Sequence, residues 1–539
     1  MGNDKYAYVF GRGFCYDDPD HYSFQLKDCI VMWPVRSMDV KTVDFGGRPF
    51  HFIGIGGIGM SALAYVLTKR HFRVSGSDVR PSPITDRLKS LGAHIFNQQE
   101  AQNLDLFQNL QVHSYAPVSY GGGRVPTLEG KYSTSTDFVS NGKGHSLCPT
   151  LPQVVCSTAI NPQNPEYQAA LAKGCPIFHR SDILAALIAQ AQGIGVAGTH
   201  GKTTTSSLIG YMLLQGGLDP TIIVGGEVDA WEGNARLGAG PYLVAEVDES
   251  DGSLTKHHPQ IGVVTNIELD HPDHYATLDQ VVDIFQEFAS HCQTLIGCVD
   301  CEVVRQRLRL DITYSLHPDR GADYWVTQIT PQSQGSRVLV WERGQPLGSM
   351  VVALPGNHNI SNALAAVAVG RLLGLDFDLI ALAIAGFNGA KRRFECKGYC
   401  NGISFIDDYA HHPSELLATL AAARQKIEQG QYKRVVAIFQ PHRYSRTHTF
   451  LGEFASAFRD ADLVVLTDIY SAGETNTHNI TGQVLASAVS QHHPHVLYQP
   501  SLPELVPLLK KTLQAGDLVL FLGAGNLNQS IPDVMAACA

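Results

Sequence analysis

The sequence predicts an α/β protein of three domains, each with a mainly parallel sheet flanked by helices. Apolar strand-like runs alternate with helical stretches from about residue 49 onward, as they do in parallel sheets. Many of these strands end in polar residues, and in open α/β sheets ligands bind beyond the carboxyl ends of the strands. A chain of 539 residues is also too long to fold around one hydrophobic core of ordinary size, so two to four domains are expected.

Composition excludes several classes of function. The net charge of −10 argues against a nucleic-acid binder, which needs a surplus of Lys and Arg. The N-terminus lacks the pattern of a signal peptide, and no apolar run reaches the length of a membrane span. Eleven scattered cysteines fit a reducing compartment. We therefore expect a cytoplasmic protein without nucleic-acid or membrane partners.

The chain divides into four predicted parts. Residues 1–47 form an N-terminal extension without clear periodicity, to which we assign no role. The first domain covers residues 48–190 and carries a loop-like insertion at about 112–153, where Gly, Ser, Thr and Pro are too frequent for a core. The second domain covers residues 191–390 and the third covers 391–539.

The strongest motif opens the second domain. A predicted strand leads into Gly198-Thr199-His200-Gly201-Lys202-Thr203-Thr204 and then into a helix. Glycines allow backbone N–H groups to surround phosphate oxygens, Lys202 can reach the β- and γ-phosphates, and the Thr203 hydroxyl can ligate Mg²⁺. Val196 stands where the strict motif has its first glycine. The alternative is a chance glycine turn before a capped helix.

Acidic residues follow at the ends of two later strands. Glu246-Val247-Asp248-Glu249-Ser250-Asp251 crowds four carboxylates together, which repel one another unless a cation or a basic partner neutralises them. A metal ion is the economical explanation, and a solvated acidic turn is the alternative. A further strand ends in Asn266 to His271, which again places polar groups at a carboxyl end.

A first glycine cluster lies at the start of the first domain. Gly54-Ile55-Gly56-Gly57-Ile58-Gly59 follows a strand, and Asp78 comes about twenty residues later, as in dinucleotide-binding proteins. Taken alone, the cluster suggests a nicotinamide-dependent dehydrogenase. The physical requirement is only a diphosphate at a helix N-terminus, which a UDP-sugar also supplies.

Three polar segments mark the third domain. Lys391-Arg392-Arg393 stands at its start, where a solvated basic face is an equal alternative. The segments Asp407 to Pro413 and Gln440 to Arg446 each follow a strand. Arg443 and Arg446 are suited to holding a carboxylate or phosphate. The histidines of the first segment could instead be ordinary helix-entry residues.

These motifs, in this order, resemble the Mur ligases of bacterial peptidoglycan synthesis over about residues 50 to 539, apart from the 112–153 segment. The resemblance adds Ser157-Thr158-Ala159-Ile160, Asn164-Pro165-Glu166, Tyr470 to Glu474, and Pro355 to Asn359 with Asn362. In the last of these, Asn357 stands where an Arg is usual.

The resemblance implies a Rossmann-like N-terminal domain, a P-loop ATPase domain and a Rossmann-like C-terminal domain. It implies an ATP-dependent carboxylate–amine ligase that adds L-alanine to UDP-N-acetylmuramate. ATP is a co-substrate, Mg²⁺ or Mn²⁺ is the cofactor, and an acyl phosphate is the intermediate. The third domain is expected to close onto the second, because the arginines and the phosphate loop must meet around one intermediate.

Roles for individual residues also follow from the resemblance. The ATP-binding residues are Gly198, Thr199, His200, Gly201, Lys202, Thr203, Thr204, His358, Asn359, Asn362, Arg393 and Asp408. The UDP-sugar-binding residues are Gly54, Gly56, Gly57, Gly59, Met60, Ser61, Ser77, Asp78, Ser157 and Thr158. The amino-acid-binding residues are Tyr409, His411 and Arg443, the metal ligands are Thr203, Glu246 and His271, and the catalytic residues are Lys202, His200, Arg443, Arg446 and His411.

Three alternatives stay open at this point. A sister ligase would attach a preformed peptide to the same UDP-sugar, and Gly56 to Ser61 favours the alanine enzyme over it. A nicotinamide-dependent oxidoreductase would leave the ATP loop unexplained, and a non-catalytic paralogue would bind UDP-sugar without turnover. The sequence leaves open the choice among alanine, glycine and serine, the base that deprotonates the amine, and whether the protein is a monomer or a homodimer.

Overall fold

The computed structural model describes residues 42–107 and 151–539. The structure contains three β-sheets of five, ten and six strands, formed in turn by successive parts of the chain. Helices flank each sheet, and most pairs of neighbouring strands are parallel. The predicted three-domain α/β architecture is therefore confirmed.

The first sheet has five strands. Its strands are β1 Phe50–Ile53, β2 Val74–Ser77, β3 His94–Phe96, β4 Gln153–Cys156 and β5 Ile177–His179, and its helices are α1 Ile58–Lys69, α2 Pro83–Ser90, α3 Pro165–Ala172 and α4 Arg180–Ala189, with a 3-10 helix at Ala101–Phe107. The strand order is β3-β2-β1-β4-β5, and all neighbours are parallel. Strands β2 and β3 extend the sheet on one side of β1, and β4 and β5 extend it on the other side. A ligand crevice is expected between β1 and β4, where the strand order reverses.

Both predicted boundaries near this sheet differ from the structure. Val43 and Phe45 pack against the apolar core, and the Phe45 ring lies 5.8 Å from that of Phe72, so packed residues begin before position 48. Gln153 was predicted to end the insertion, but it is buried and pairs with Phe50 as the first residue of β4. Of that insertion, positions 112–150 lie outside the described residues, as do positions 1–41 of the extension.

The central sheet has ten strands. Its strands are β6 Gln192–Ala197, β7 Thr221–Val228, β8 Gly233–Arg236, β9 Tyr242–Glu246, β10 Ile261–Val264, β11 Thr294–Cys298, β12 Ile312–Ser315, β13 Tyr324–Pro331, β14 Ser336–Glu342 and β15 Gln345–Val352, and its helices are α5 Lys202–Gln215, α6 Leu278–His291, α7 Glu302–Arg307, α8 Asn357–Leu372 and α9 Phe377–Gly386. Short 3-10 helices lie at Asp229–Trp231, Ser253–Lys256 and Pro318–Arg320. The antiparallel β13-β14-β15 edge was not predicted from the sequence.

The order of the central strands explains why distant motifs meet. The sheet runs β15-β14-β13-β12-β11-β10-β6-β9-β7-β8, so β6 lies between β10 and β9 and is parallel to both. The glycine loop follows β6, the acidic segment follows β9, and Thr265 to His271 follows β10. Because parallel strands end at the same edge, three segments far apart in sequence are brought together.

The third sheet has six strands. Its strands are β16 Glu395–Cys400, β17 Ile403–Asp408, β18 Arg434–Phe439, β19 Leu463–Leu466, β20 Val496–Tyr498 and β21 Asp517–Leu522, and its helices are α10 Pro413–Glu428, α11 Tyr444–Thr449, α12 Leu451–Ser456, α13 Gly482–Val489, α14 Leu502–Thr512 and α15 Ile531–Cys538, with a 3-10 helix at Leu527–Ser530. The order is β16-β17-β21-β18-β19-β20, with only β16 antiparallel. The four strands predicted here are confirmed as β17, β18, β19 and β21. In the described part of the chain, no helix combines the length and the apolar character needed to cross a membrane.

Candidate active site between the central and C-terminal domains

The loop between β6 and α5 depends on two glycines. Gly198 has φ +137° and Gly201 has φ +82°, conformations that L side chains rarely adopt. A Cβ atom at Gly201 would lie 2.8 Å from Oδ1 of Asn362 on α8, and one at Gly198 would lie 2.0 Å from Oγ1 of Thr265. Because neither glycine carries a Cβ atom, the loop can lie close to the neighbouring segments. Helix α5 begins directly after the loop, and no side chain among the described residues caps its first N–H groups.

Lys202 is the first residue of α5, and its ammonium group lies over the loop. Its Nζ donates to the backbone oxygens of Gly198 at 2.7 Å and Thr199 at 3.1 Å. It also lies 2.9 Å from Oε2 of Glu249, a residue that is buried. Burial opposes the charged form of Lys202, but Glu249 and two further carboxylates outweigh it and raise its pKa. The lysine is therefore a fixed cation at the phosphate loop.

Basic side chains neutralise most of the acidic segment after β9. Arg180, at the start of α4 in the first domain, lies 3.1 Å from Asp248 and 3.3 Å from Asp251. Burial would raise the pKa of Asp248, but Lys202 and Arg180 lower it to about 2. Burial raises the pKa of Glu249 to about 7 in spite of Lys202. Carboxylate crowding here is thus relieved by protein cations and does not by itself require a metal ion.

The three predicted metal ligands lie in the central domain at neighbouring strand ends. Thr203 opens α5 beside Lys202, and Oε2 of Glu246 accepts a hydrogen bond from the Gly225 N–H at 2.7 Å. Burial lowers the pKa of His271, which favours the neutral imidazole that binds metals. A hydroxyl, a carboxylate and a neutral imidazole form a donor set that fits Mg²⁺ or Mn²⁺.

A cavity of about 300 Å³ lies between the central and C-terminal domains. It is lined from the central domain by the phosphate loop, the end of β10 and helix α8, and from the C-terminal domain by the segment before β16 and helix α10. The predicted ATP-binding residues that line it are His200, Gly201, Thr204, His358, Asn359, Asn362, Arg393 and Asp408. Their positions span more than 200 residues of sequence, and only the packing of the two domains brings them together.

Two of these residues already have partners inside the protein. Asp408 accepts hydrogen bonds from the N–H groups of Phe394 at 2.7 Å and Ala410 at 2.8 Å. Burial raises the pKa of Asp408 to about 6 against the effect of Arg393. The Arg393 guanidinium lies 5.1 Å from the centre of the Tyr409 ring. Asp408 lines the cavity, and these two hydrogen bonds hold its carboxylate in place there.

Arg443, predicted to bind the amino acid, and Arg446, predicted to be catalytic, both contact carboxylates of the central domain, and Arg443 also contacts one of its own domain. Arg446 donates to Asp270 at 2.8 Å, and Arg443 donates to Asp273 at 2.8 Å and to Glu474 at 3.1 Å. His411 lies beside Tyr409, with ring centres 5.3 Å apart. Burial lowers the pKa of His411 to about 4, so its imidazole is neutral at pH 7. The structure thus gathers Tyr409, His411, Arg443 and Arg446 at one edge of the third sheet.

The first glycine cluster forms a separate region at the carboxyl end of β1. The Gly56 N–H donates to Asp78 at 2.8 Å, so this carboxylate holds the glycine turn. Gly54 has φ +80°, and a Cβ there would lie 3.3 Å from Ile160, which places the Ser157 and Thr158 segment beside the turn. Gly57 caps helix α1.

Three predicted UDP-sugar residues have side chains that are buried in this structure. The Ser61 hydroxyl accepts from Asn234 of the central domain at 3.1 Å, and the Ser77 hydroxyl donates to Glu166. Met60 is 3% exposed and packs in the apolar core. The side chains of Met60, Ser61 and Ser77 therefore support the glycine turn.

Four carboxylates and one arginine in this region were not predicted from the sequence. Glu249 and Asp270 lie inside the quoted motifs, but nothing local distinguished them from their neighbours. Glu415 follows His412 at the spacing of a capping box, a signal that was available in the sequence. Glu268 and Arg180 gave no local signal, because their partners lie more than 60 residues away along the chain.

Comparison with family models gives three consecutive matches. Residues 49–192 match the model described as "Mur ligase family, catalytic domain", residues 196–370 match "Mur ligase middle domain", and residues 392–525 match "Mur ligase, glutamate ligase domain". Together the three models cover most of the chain.

Curated relatives and solved structures agree with these matches. A UDP-N-acetylmuramate–L-alanine ligase from Synechocystis sp. is 71% identical over 506 residues, which cover 94% of this chain and 100% of the relative. A protein of the same name from Gloeothece citriformis is 64% identical, over 92% of this chain and 99% of the relative. The crystal structure of a UDP-N-acetylmuramate-alanine ligase from Thermotoga maritima has a TM-score of 0.71 at 26% identity, covering 91% of this chain and 98% of that one. A murein peptide ligase from Psychrobacter arcticus, at 20% identity with a TM-score of 0.62, shares the fold.

Proposed function

The chain belongs to the Mur ligase family, and we propose that it joins L-alanine to the carboxylate of UDP-N-acetylmuramate at the expense of ATP. The observation that carries this proposal is the cavity between the central and C-terminal domains. There the phosphate loop, the polar start of α8 and Arg393 all face one space of about 300 Å³. The 71% identity to a curated ligase of this name over 94% of the chain supports the choice of substrates. The product is a peptidoglycan precursor.

ATP would bind with its adenine toward α8 and its phosphates at the loop. Asn359 and Asn362 are buried, and Nδ2 of Asn362 lies 3.2 Å from Oδ1 of Asn359. Amide side chains held in this way can recognise the edge of a base. The N–H groups at the start of α5 and the Lys202 ammonium would hold the β- and γ-phosphates.

The first chemical step transfers the γ-phosphoryl group to the sugar carboxylate and gives an acyl phosphate. Charge neutralisation and positioning govern such a transfer, and Lys202 supplies a fixed positive charge for it. Thr203, Glu246 and His271 would hold Mg²⁺ or Mn²⁺, which when bound neutralises phosphate charge. Asp78 and the Gly54 to Gly59 turn would hold the UDP diphosphate in the first domain.

The second step is attack of the alanine amine on the acyl phosphate, followed by release of phosphate. Arg443 and Arg446 carry the positive charge that the alanine carboxylate and the acyl phosphate require. Tyr409 and His411 lie beside them at the same edge of the third sheet. Binding of substrate would then exchange the present carboxylate partners of the arginines for those of the ligand.

We further propose that the protein works in the cytoplasm on small molecules alone, as a monomer or homodimer. UDP-N-acetylmuramate, L-alanine and ATP would be its substrates.

The test measures phosphate release from ATP with Mg²⁺ and UDP-N-acetylmuramate, with and without L-alanine, and identifies the product by mass spectrometry. Release that needs both substrates, with formation of UDP-N-acetylmuramoyl-alanine, is the expected result. Release that occurs with a preformed peptide and not with alanine would assign the chain to a peptide ligase. Absence of release with either acceptor would overturn the proposed activity. Parallel assays with glycine and serine measure selectivity.

A further inference from the structure

The imidazole of His200 lies between two carboxylates that come from different domains. Its Nδ1 is 3.5 Å from Oε1 of Glu415 on helix α10, and its Nε2 is 3.5 Å from Oε2 of Glu268, which follows β10. The side chains of His200 and Glu415 are 14% and 13% exposed, so water screens this pair only weakly, whereas Glu268 is 40% exposed. When each ring nitrogen faces an anionic oxygen, the protonated ring is the favoured form because both nitrogens then carry hydrogen.

We propose that Glu268 and Glu415 are positioning residues that keep His200 as an imidazolium cation beside the phosphate loop, where it stabilises the transferring phosphoryl group. The inference rests on the proposed function for the identity of that group. His200 then acts as a fixed positive charge and donor, and it is excluded as the base that accepts a proton from the amine.

Both carboxylates are themselves held in place. Oε2 of Glu415 accepts from the N–H groups of His411 at 2.9 Å and His412 at 3.2 Å, and its other oxygen lies 3.8 Å from Arg393. Ser414 donates to Glu268 at 2.5 Å. Hydrogen bonds to an ionised carboxylate favour the ionised form. Each carboxylate is therefore available as an anion to pair with His200.

The backbone of His200 is also fixed. Its N–H donates to Oδ1 of Asn266 at 2.8 Å, and its carbonyl oxygen accepts from the Thr265 hydroxyl at 2.6 Å and from Nδ2 of Asn266 at 3.0 Å. The ring therefore has little freedom to leave the two carboxylates. Its Nε2 is buried without a partner at hydrogen-bond geometry among the described residues, while His200 lines the cavity. The Nε2–H group therefore faces Glu268 without a full hydrogen bond, and His200 presents its charge to the cavity.

The surrounding charges agree with this assignment. The other groups that face the cluster include His412, whose ring centre lies 4.8 Å from that of His200, His411, whose Nδ1 lies 3.2 Å from Glu415, and Arg393. His358 and Asp408 also line this cavity and interact with the Glu415 charge. Burial and the charge of His200 lower the pKa of His412, so it stays neutral. Burial disfavours the charged form of His200, but Glu268 and Glu415 outweigh it and raise its pKa to about 10.

The direct test is an NMR titration of the full chain carrying ¹³C-labelled histidine, without any substrate. Loss of one signal in His200→Gln assigns the resonance. We expect His200 to titrate at least about 1.5 pH units above the ordinary histidine value near 6.5, and Glu415→Gln to lower that midpoint by at least about one unit. Glu453→Gln, a change at an exposed position of α12, is expected to leave the midpoint unchanged. A midpoint at or below about 6.5 in the unaltered protein would overturn the proposal, whatever the enzymatic activity proves to be.

Kinetics provide a second readout. If His200 must be charged, the alkaline limb of kcat against pH shifts to lower pH in Glu268→Gln, whose exposed position tolerates the change better than that of Glu415. A purely structural role for Glu268 would lower activity equally at all pH values. A uniform loss of activity, without a shift of the alkaline limb of kcat, would therefore contradict the proposal. This test does not depend on whether the Glu415→Gln protein folds.

Discussion

The guanidinium of Arg446 donates to the carboxylate of Asp270 at 2.8 Å, in an ion pair whose side chains are 3% and 6% exposed. Arg446 belongs to helix α11 of the C-terminal domain, and Asp270 follows β10 of the central domain. The two residues are 176 positions apart in sequence. Beside them, Arg443 and Asp273 form a second pair at 2.8 Å that is about one-third exposed. These two pairs connect the central and C-terminal domains.

The buried pair is expected to contribute far more to stability than the exposed pair. Replacement of Asp270 by leucine leaves the Arg446 charge buried without its partner, which costs about 3–5 kcal/mol. Asp273→Leu is the matched control and is expected to cost less than about 1 kcal/mol, because water screens Arg443. Thermal unfolding of both variants is the measurement. Equal losses of stability in the two variants would contradict the prediction that the buried pair contributes more.

Lys202 is expected to be essential for turnover and dispensable for folding. In Lys202→Met the phosphate loop loses its fixed charge, and kcat falls by about 100- to 1000-fold. Glu249 can take up a proton, since its pKa is already raised to about 7 by burial, so the folded state persists. Phosphate release and circular dichroism measure the two effects. Lys173→Met, at an exposed ion pair with Asp105, serves as the control and should keep full activity. A Lys202→Met enzyme with normal kcat would refute the role of this lysine.

Gly201 is expected to tolerate no side chain. Its φ of +82° is strained for alanine, and the new Cβ would lie 2.8 Å from Oδ1 of Asn362. Gly201→Ala should therefore raise the KM for ATP or abolish activity. The control is Gly452→Ala in helix α12, where no atom lies within 4 Å of the added Cβ and alanine should stabilise the protein by about 0.5–1 kcal/mol. ATP binding by calorimetry distinguishes the two variants, and normal affinity in Gly201→Ala would contradict the prediction.

Glu246 is expected to determine the metal requirement. Replacement of this carboxylate by glutamine removes one charged oxygen ligand, so the Mg²⁺ concentration for half-maximal activity should rise at least about tenfold. Asp229→Asn changes a carboxylate that is 80% exposed, and it should leave the Mg²⁺ dependence unchanged. Mg²⁺ titrations of phosphate release compare the variants. An unchanged requirement in Glu246→Gln would remove this residue from the metal site.

His257 is expected to make the protein less stable in acid. The side chain is 1% exposed, and burial with nearby Arg180 lowers its pKa to about 3. The unfolded chain takes up a proton below about pH 6.5 while the folded chain does not, so this contribution to stability is present above 6.5 and is lost as pH falls toward 3. The loss amounts to at most about 1.4 kcal/mol per pH unit. His257→Gln should flatten the fall of the unfolding temperature between pH 6.5 and 4.5, and His492→Gln at an exposed site should not. If the unfolding temperature fell equally with pH in the unaltered protein and in both variants, the effect of His257 would be disproved.

The parts of the fold and site that the sequence predicted are those with local causes. Gly198 and Gly201 predicted a phosphate loop because a strand, a turn with positive φ and a helix follow one another within a few residues. The third-domain strands were predicted because apolar runs end abruptly in polar residues. The short strand β20 and the antiparallel strand β16 were missed, because their half-exposed residues give weak patterns. The roles given to individual site residues stay predictions until the variants above are measured.

Local sequence patterns predict the α/β class, the succession of three domains, the family resemblance and the motifs at the ends of β1, β6, β9 and β10. Which charges meet is set by the packing of the domains. Glu415 and Glu268 reach His200 from two domains, and Arg446 reaches Asp270 across 176 positions. The physical reason is that the conformation of a glycine turn depends on its neighbours in the chain. The energy of an ion pair, in contrast, depends on distance and burial, which exist only after the domains have packed.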